Sequence, residues 1–249
     1  MKVVINGLVL NYELVGEGRI ILLLHGWGDR ASGLNMIKDE LVKKYQILSV
    51  DLPGFGDSDN PDKAWGLEDY AVCVSNLVKK LKLEVYAVIG HSNGGAIAIK
   101  MIADKLLVVQ RLILLASAGI RNQYKGKNRI IRVVAKTGKF IVYILPSSTR
   151  KKVKAVFYTK IGSDLLVAEH LQPTFKKIIT EDITTDASKI DILTLLIYGK
   201  EDQSTPVSYG QLLSNKIKKS RLIILDNAEH FVYLDQPNKV NKLIEDFLQ

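Results

Sequence analysis

One stretch of the sequence, residues 85–102, constrains the fold more than any other. It begins with Val85–Ile89, a short apolar run rich in β-branched residues that is typical of a buried parallel strand. After Asn93 it becomes rich in alanine, and its apolar residues recur at helical spacing. The pattern Gly90-x-Ser92-x-Gly94 joins the two halves and is typical of a sharp strand-to-helix turn. We therefore predict a strained backbone at Ser92, with flanking glycines that let the chain pass close to itself.

A serine at the tip of such a turn is a candidate nucleophile. Ser92 would stand at a helix N-terminus, where backbone N–H groups and the helix dipole favour developing negative charge. The bare pattern also occurs by chance, so a catalytic role requires a base, an acid and oxyanion donors elsewhere in the chain.

The composition is that of a globular protein. The 249 residues are 47% hydrophobic and 24% charged, which suits one α/β domain with an insertion or two small domains. Met1-Lys2 leads directly into a strand-like run, and no apolar run approaches the ~18 residues of a membrane span. The single cysteine, Cys73, cannot form an internal disulfide and is expected to flank the core. These features predict a cytoplasmic protein.

Predicted strands alternate with predicted helices along most of the chain. The predicted strands are Lys2–Asn6, Leu8–Leu14, Arg19–Leu24, Gln46–Asp51, Val85–Ile89, Val108–Leu115, Ile192–Tyr198 and Arg221–Leu225. The predicted helices of the same region are Ser32–Lys44, Leu67–Leu81, the segment after Asn93, Pro206–Ile217 and Pro237–Leu248. Such alternation indicates an α/β fold with a mostly parallel sheet and helices on both faces.

The alternation stops between residue 120 and about residue 189. This stretch contains no convincing buried strand, and four helical pieces are predicted in it: Arg129–Lys136, Lys139–Leu145, Thr149–Tyr158 and Ile161–Leu171. We therefore predict a core formed by residues 1–120 and 190–249, with an inserted α-helical lid at residues 121–189.

His230 is the predicted general base. It lies in a loop just past the last predicted strand, and catalytic residues of open parallel sheets sit beyond the carboxyl ends of strands. The other histidines suit the role less well. His25 belongs to a turn, His91 adjoins the serine and should point away from it, and His170 lies on a predicted lid helix.

Asp202 is the predicted acid, because it follows the penultimate strand and precedes the helix that opens at Pro206. Glu201 is its local competitor. The loop after Leu115 reads Ala-Ser-Ala-Gly and offers no acid. The two predicted donors of an oxyanion hole are the backbone N–H groups of Asn93 and Trp27.

These features resemble the α/β-hydrolase superfamily over about residues 1–120 and 190–249. The motifs that carry the resemblance are His25-Gly26-Trp27-Gly28, Asp51–Ser58, Gly90–Gly95, Gly199–Asp202 and Ala228–Phe231. In the last motif Glu229 stands where the family usually has glycine, which makes it a candidate modulator of His230. The resemblance implies an eight-stranded, mostly parallel sheet and the triad order Ser92…Asp202…His230. It implies no cofactor and no metal.

Several activities fit this superfamily. Haloalkane dehalogenases and epoxide hydrolases carry an aspartate nucleophile, and Ser92 argues against both. Prolyl iminopeptidases usually place Trp where this chain has Asn93. Carboxylesterases, lysophospholipase-like lipases, thioesterases and carbon–carbon hydrolases of the meta-cleavage type remain compatible. We predict a carboxylic ester hydrolase that works through an acyl-enzyme. A ligand-binding receptor on a hydrolase scaffold is the non-enzyme alternative.

The predicted lid carries the positive charge of the chain. Residues 121–190 hold fifteen of the 35 Lys and Arg residues but only five of the 26 acids. A solvated outer face is the simplest interpretation. Alternatively, some cations bind a substrate carboxylate or phosphate, or residues 149–154 contact anionic lipid weakly. No nucleic-acid partner is predicted, because no binding motif accompanies the charge. The sequence leaves monomer and dimer open.

The expected partner is a small-molecule ester. The candidate substrate-binding residues, from the lid and from the loops around the serine, are His25, Gly26, Phe140, Tyr143, Phe157 and Phe231.

Overall fold

The computed structural model describes residues 1–121 and 168–249 of the chain. Elements are numbered within these residues. The strands are β1 Lys2–Ile5, β2 Leu8–Val15, β3 Ile20–Leu24, β4 Gln46–Val50, β5 Val85–His91, β6 Arg111–Leu115, β7 Leu193–Gly199 and β8 Ser220–Leu225. The helices are α1 Asn35–Leu41, α2 Leu67–Lys80, α3 Asn93–Ala103, α4 Gln172–Ile178, α5 Thr184–Ala187, α6 Val207–Lys216, α7 Val232–Asp235 and α8 Pro237–Leu248. Short 3₁₀ helices cover Ala31–Leu34 and Glu169–Leu171.

The eight strands form one sheet in the order β1-β2-β4-β3-β5-β6-β7-β8. The two pairings of β2 are antiparallel, and the five pairings from β4 to β8 are parallel. The hairpin between β1 and β2 turns at Asn6 and Gly7, which both have positive φ, as a two-residue turn of this type requires. The predicted α/β fold with a mostly parallel sheet is confirmed.

Apolar side chains cover both faces of the sheet because consecutive strand residues point in opposite directions. Leu22 and Leu24 of β3 belong to the core that α2, α3 and α6 cover. Ile21 and Leu23 belong to the core under α1, α7 and α8. Cys73 lies in α2 and is fully buried, and this burial raises the pKa of its thiol to about 12.

Some element boundaries differ from the sequence-based prediction. The sixth strand begins at Arg111, not at Val108, and Val108 is exposed. The helix predicted up to Lys44 ends at Leu41 and is followed by turns. The short helices α4, α5 and α7 were not predicted. Helices of four to seven residues carry little periodic pattern, and tertiary packing stabilises them.

Of the predicted lid, the structure describes residue 121 and residues 168–189. Residues 168–189 form its longer described segment. This segment docks on the N-terminal end of α2. The Oγ1 of Thr174 accepts a hydrogen bond from the N–H of Trp65 at 3.1 Å, and Glu181 accepts one from the N–H of Leu67 at 3.0 Å. Three predicted lid helices, Arg129–Lys136, Lys139–Leu145 and Thr149–Tyr158, lie outside the described residues. Most of the fourth, Ile161–Leu171, does as well.

Candidate functional site

Ser92 stands at the turn between β5 and α3, as the sequence predicts. Its backbone is at φ 50° and ψ −115°, a conformation that non-glycine residues rarely adopt. A Cβ at Gly90 would lie 2.6 Å from the carbonyl oxygen of Gly94, and one at Gly94 would collide with the carbonyl oxygen of Leu24. The glycines are therefore required by close backbone approach, and the turn holds the serine in a fixed position.

The backbone around Ser92 is fully engaged. The N–H of Ser92 donates to the carbonyl of Leu115 at 3.0 Å, which ties the turn to the end of β6. The carbonyl of Ser92 accepts hydrogen bonds from Gly95, Ala96 and Ala118. These four bonds hold the strained conformation without using the serine side chain.

His230 and Asp202 form a hydrogen-bonded pair beside this turn. The Nδ1 of His230 lies 2.8 Å from Oδ2 of Asp202. Asp202 follows β7 and is almost fully buried, and its Oδ1 accepts hydrogen bonds from the N–H groups of Ser204 and Thr205. Burial by itself raises the pKa of the Asp202 carboxyl, but the hydrogen bonds from His230 and Thr205 outweigh it and hold the pKa below its usual range.

Glu201, the competing acid, has a different role. Its carboxylate accepts the N–H of Ala228 at 3.0 Å, and its own N–H donates to the carbonyl of Ala228 at 3.1 Å. Glu201 therefore fastens the loop that carries His230. The geometry pairs His230 with Asp202.

Thr205 is a member of this group that sequence reasoning missed. Its buried hydroxyl lies 2.6 Å from Oδ2 of Asp202, 3.1 Å from Nδ1 of His230 and 3.0 Å from the carbonyl oxygen of Ala116. The hydroxyl thus links the acid, the base and the end of β6. A local pattern could have indicated Thr205. The Asp202 side chain accepts hydrogen bonds from the N–H groups two and three residues further along the chain, as Asp does in turns, and Thr205 is the second of these residues.

The side chain of His91 contacts the loop of the base. Its Nε2 lies 3.1 Å from the carbonyl oxygen of His230, so Nε2 carries the proton and donates it. Its ring packs 4.8 Å from the ring of His230 and 5.1 Å from those of Phe231 and Tyr233. Burial, together with the nearby His230, lowers the pKa of His91 to about 3, and the ring is neutral.

His25 orients the loop that carries the predicted oxyanion donor. Its Nε2 accepts the N–H of Leu52 at 2.9 Å, so its Nδ1 carries the proton and donates to the carbonyl of Gly26 at 2.8 Å. Burial lowers the pKa of His25 despite this bond. The carbonyl and N–H of one trans peptide point in opposite directions. The bond to the Gly26 carbonyl therefore turns the Trp27 N–H away from the His25 ring.

Asp51 braces the same loop. It accepts hydrogen bonds from the N–H groups of Ala31 and Asp57 and from the side chain of Asn11. The Trp27 ring packs 4.9 Å from Phe55 and 5.1 Å from Phe175, the latter in α4. The loop thus contacts both the core and the described end of the predicted lid.

These groups meet in one cleft of about 280 Å³. Its described lining is Gly26, Trp27, Asp29, His91, Ser92, Ser204, Glu229, His230, Phe231 and Asp235. Of the predicted substrate-binding residues, Gly26 and Phe231 line it. His25 does not, because it is fully buried and both ring nitrogens bond to the backbone. Phe140, Tyr143 and Phe157 lie outside the described residues.

Asn93 directly follows Ser92, begins α3 and is 4% exposed. The N–H groups of the first turn of a helix have no partner within the helix, and the Asn93 N–H belongs to this turn. Within residues 1–121 and 168–249, no group of three His, Cys, Asp or Glu side chains could hold a metal ion. None of the described helices is long and apolar enough to cross a membrane.

The fold and the site identify the class of the protein. A model of the Alpha/beta hydrolase family matches residues 21–243, so the chain belongs to that family. The AB hydrolase superfamily protein YisY of Bacillus subtilis (strain 168) is 29% identical, over 94% of this chain and 93% of YisY.

Other relatives carry names of more specific hydrolases. The 2-hydroxy-6-oxo-2,4-heptadienoate hydrolase of Pseudomonas putida is 22% identical, over 99% of this chain and 95% of that protein. The solved structure of the esterase EaEST from Exiguobacterium antarcticum matches with a TM-score of 0.76 and 24% identity, over 98% of this chain and 96% of the esterase. The predicted superfamily and the predicted hydrolase class are confirmed.

Proposed function

We propose that this protein is a serine hydrolase that cleaves carboxylic esters through an acyl-enzyme. One observation carries the proposal above the others. Ser92, on its strained turn, and His230 line the same cleft, and Nδ1 of His230 lies 2.8 Å from Oδ2 of Asp202. A nucleophile, a base and a group that orients the base are the components that acyl transfer requires.

In the proposed reaction, Ser92 Oγ attacks the ester carbonyl while Nε2 of His230 takes its proton. Asp202 holds Nδ1 of His230, which leaves Nε2 unprotonated to act as the base, and stabilises the imidazolium that forms. The N–H groups of Asn93 and Trp27 stabilise the oxyanion. His230 then protonates the leaving alcohol, and it activates water for deacylation in the same way.

Carbon–carbon bond hydrolysis is the second candidate, because a relative is named as a 2-hydroxy-6-oxo-2,4-heptadienoate hydrolase. Ester hydrolysis ranks first because it needs only the groups described in the cleft. A dienoate substrate also carries a carboxylate, and the described lining of the cleft contains no Lys or Arg to bind one.

Steady-state assays with p-nitrophenyl esters of increasing acyl length test the proposal. We expect turnover of short esters and mass labelling of the Ser92 peptide by a fluorophosphonate. A vinylogous 1,5-diketo acid is the matched substrate for the second candidate. If the diketo acid is turned over faster than every ester, carbon–carbon bond hydrolysis replaces ester hydrolysis as the proposed function. A single turnover followed by product retention would support a receptor instead.

A further inference from the structure

The cleft carries negative charge that has no role in the proposed ester hydrolysis. Three carboxylates, those of Asp29, Glu229 and Asp235, line the cleft beside Ser92 and His230. No Lys or Arg belongs to the described lining. This is opposite to the chain as a whole, which has a formal net charge of +9.

None of these three carboxylates forms an ion pair within the described part of the chain. Asp29 accepts the N–H of Arg30 at 2.8 Å, and Asp235 accepts the N–H of Glu229 at 2.7 Å. Both bonds are to neutral backbone groups, so the charges are not neutralised by a cation. Outside the cleft, by contrast, Asp226 pairs with Lys200 at 2.6 Å.

A buried hydrogen-bond acceptor beside the cleft also favours a positively charged ligand. His91 donates through Nε2, so its Nδ1 is unprotonated, and this buried atom has no hydrogen-bond partner among residues 1–121 and 168–249. His91 is 1% exposed and lines the cleft, where Nδ1 lies beside Gly26. The lone pair of this buried nitrogen carries partial negative charge, so its field favours a cation in the cleft and disfavours an anion.

Two of the three carboxylates, those of Glu229 and Asp235, are close in the chain to the proposed base, His230. Glu229 precedes the base in its loop, and Asp235, the last residue of α7, accepts a hydrogen bond from the Glu229 N–H, so both carboxylates are held by the segment around His230. His230 protonates the leaving alcohol in the proposed mechanism, and the alcohol must therefore pass this loop. Asp29 lies in the loop of the predicted oxyanion donor and lines the same cleft.

We propose that the cleft selects esters whose alcohol part carries a positive charge, with Glu229 as a specificity-determining residue. This inference rests on the proposed function. The substrate cation meets the carboxylates both in the bound state and in the transition state. The preference therefore lowers KM and leaves kcat nearly unchanged.

Two isosteric esters test this: choline acetate and its uncharged analogue 3,3-dimethylbutyl acetate. We expect kcat/KM for the cationic ester to be about thirtyfold higher at low ionic strength, mainly through KM, because an opposite charge about 6 Å away in water contributes roughly threefold for each of the three carboxylates. The advantage should decline at about 0.5 M NaCl, where charges are screened within a few ångströms.

Variants locate the effect. Glu229→Gln should reduce the ratio of the two kcat/KM values about threefold, and a further Asp29→Asn should reduce it again. Glu84→Gln is the matched control, because Glu84 is exposed and precedes β5 at the opposite end of that strand from Ser92. Its ratio should equal that of the unmodified protein.

The outcomes separate this inference from the function on which it rests. Equal hydrolysis of both esters by the unmodified protein would overturn the charge preference and support the ester hydrolase. Failure to cleave either ester, or any p-nitrophenyl ester, would overturn the proposed function itself. A preference that is undiminished in the Glu229→Gln and Asp29→Asn double variant would exclude these two carboxylates as its cause.

Discussion

The floor of the cleft is built from buried groups, and its rim is built from exposed ones. On the floor, Asp202 and His91 are at most 4% exposed, and their positions are fixed by backbone groups. On the rim, Glu229 and Asp235 are exposed, and Phe231 is 43% exposed. The floor can therefore hold reacting atoms to a narrow geometry, whereas the rim can change residue type without disturbing the core. We infer that the floor sets the chemistry and the rim sets the substrate.

The largest expected effect is at the nucleophile. Ser92→Ala should lower kcat by about 10⁶-fold, as nucleophile loss does in a comparable triad. Ser204→Ala is the matched control, since Ser204 also lines the cleft but only its backbone N–H contacts Asp202. Steady-state ester hydrolysis measures both. Retention of most activity by Ser92→Ala would remove the acyl-enzyme mechanism.

The acid should have the next largest effect. Asp202→Asn keeps the size of the side chain but stabilises the wrong tautomer of His230, and kcat should fall about 10⁴-fold. Glu201→Gln should have a much smaller effect, because Glu201 contacts only the Ala228 backbone in this loop. If the two variants exchange these effects, the acid has been assigned to the wrong residue.

A third prediction concerns the pH dependence of the free energy of unfolding, to which His91 on the floor contributes. Burial lowers the pKa of His91 from 6.5 to about 3, so below pH 6.5 the unfolded chain binds a proton that the folded chain does not. Stability therefore falls as pH decreases through this window, and His91 alone contributes a loss of about 2 kcal/mol between pH 6.5 and 5.

Urea unfolding at the two pH values measures this loss. His91→Gln retains a side-chain N–H for the His230 carbonyl but does not titrate, so its pH dependence should be smaller by that amount. His25, whose pKa burial also lowers, contributes with the same sign and remains in the variant. Equal pH dependence of the two proteins would contradict the prediction.

Thr205 should have a smaller effect than either triad partner of Ser92. Thr205→Val removes a hydroxyl that lies 2.6 Å from the Asp202 carboxylate, and hydrogen bonds to charged groups contribute about 1.5–3 kcal/mol. We expect kcat to fall at least about tenfold, with KM nearly unchanged and the pKa of Asp202 raised. Thr205→Ser should restore most of the loss. If Ser fails to do so, the effect is one of packing.

The smallest expected effect is at the rim. Glu229→Gln should reduce the ratio of kcat/KM for the cationic ester to kcat/KM for the uncharged ester about threefold. An effect on kcat as large as that of Thr205→Val would place Glu229 on the floor rather than the rim. It would then act on His230 and not on the substrate, and the contrast between the two regions would fail at this residue.

The sequence predicted the positions of the strands and of the long helices along the chain, because both depend on local periodicity and turn residues, but it did not predict the order of the strands in the sheet. It also placed Ser92, Asp202 and His230 after the ends of their strands, where the structure brings Asp202 and His230 into contact. The link from Thr205 to Ala116 joins different segments, and no local pattern reports it. The same holds for the bond from His91 to the His230 carbonyl.

His25 shows the opposite case. A histidine in a turn near the serine suggested substrate contact, yet its two nitrogens bond to the Leu52 N–H and the Gly26 carbonyl. Residue type and proximity in the sequence do not report the direction of a side chain. That direction follows from which backbone groups need a partner in the folded protein.

Ser92 and His230 follow different strands, β5 and β8, and two other strands lie between these in the sheet. If the sheet were the only connection, positional errors from each strand pairing would add up in the distance between nucleophile and base. The bond from His91, the neighbour of Ser92, to the His230 carbonyl bypasses that path. This bond limits how far the nucleophile and the base can separate, in addition to the contacts of Ser92 with the end of β6 and of His230 with Asp202 after β7. An error in a single strand pairing is therefore not passed on in full to the reacting atoms.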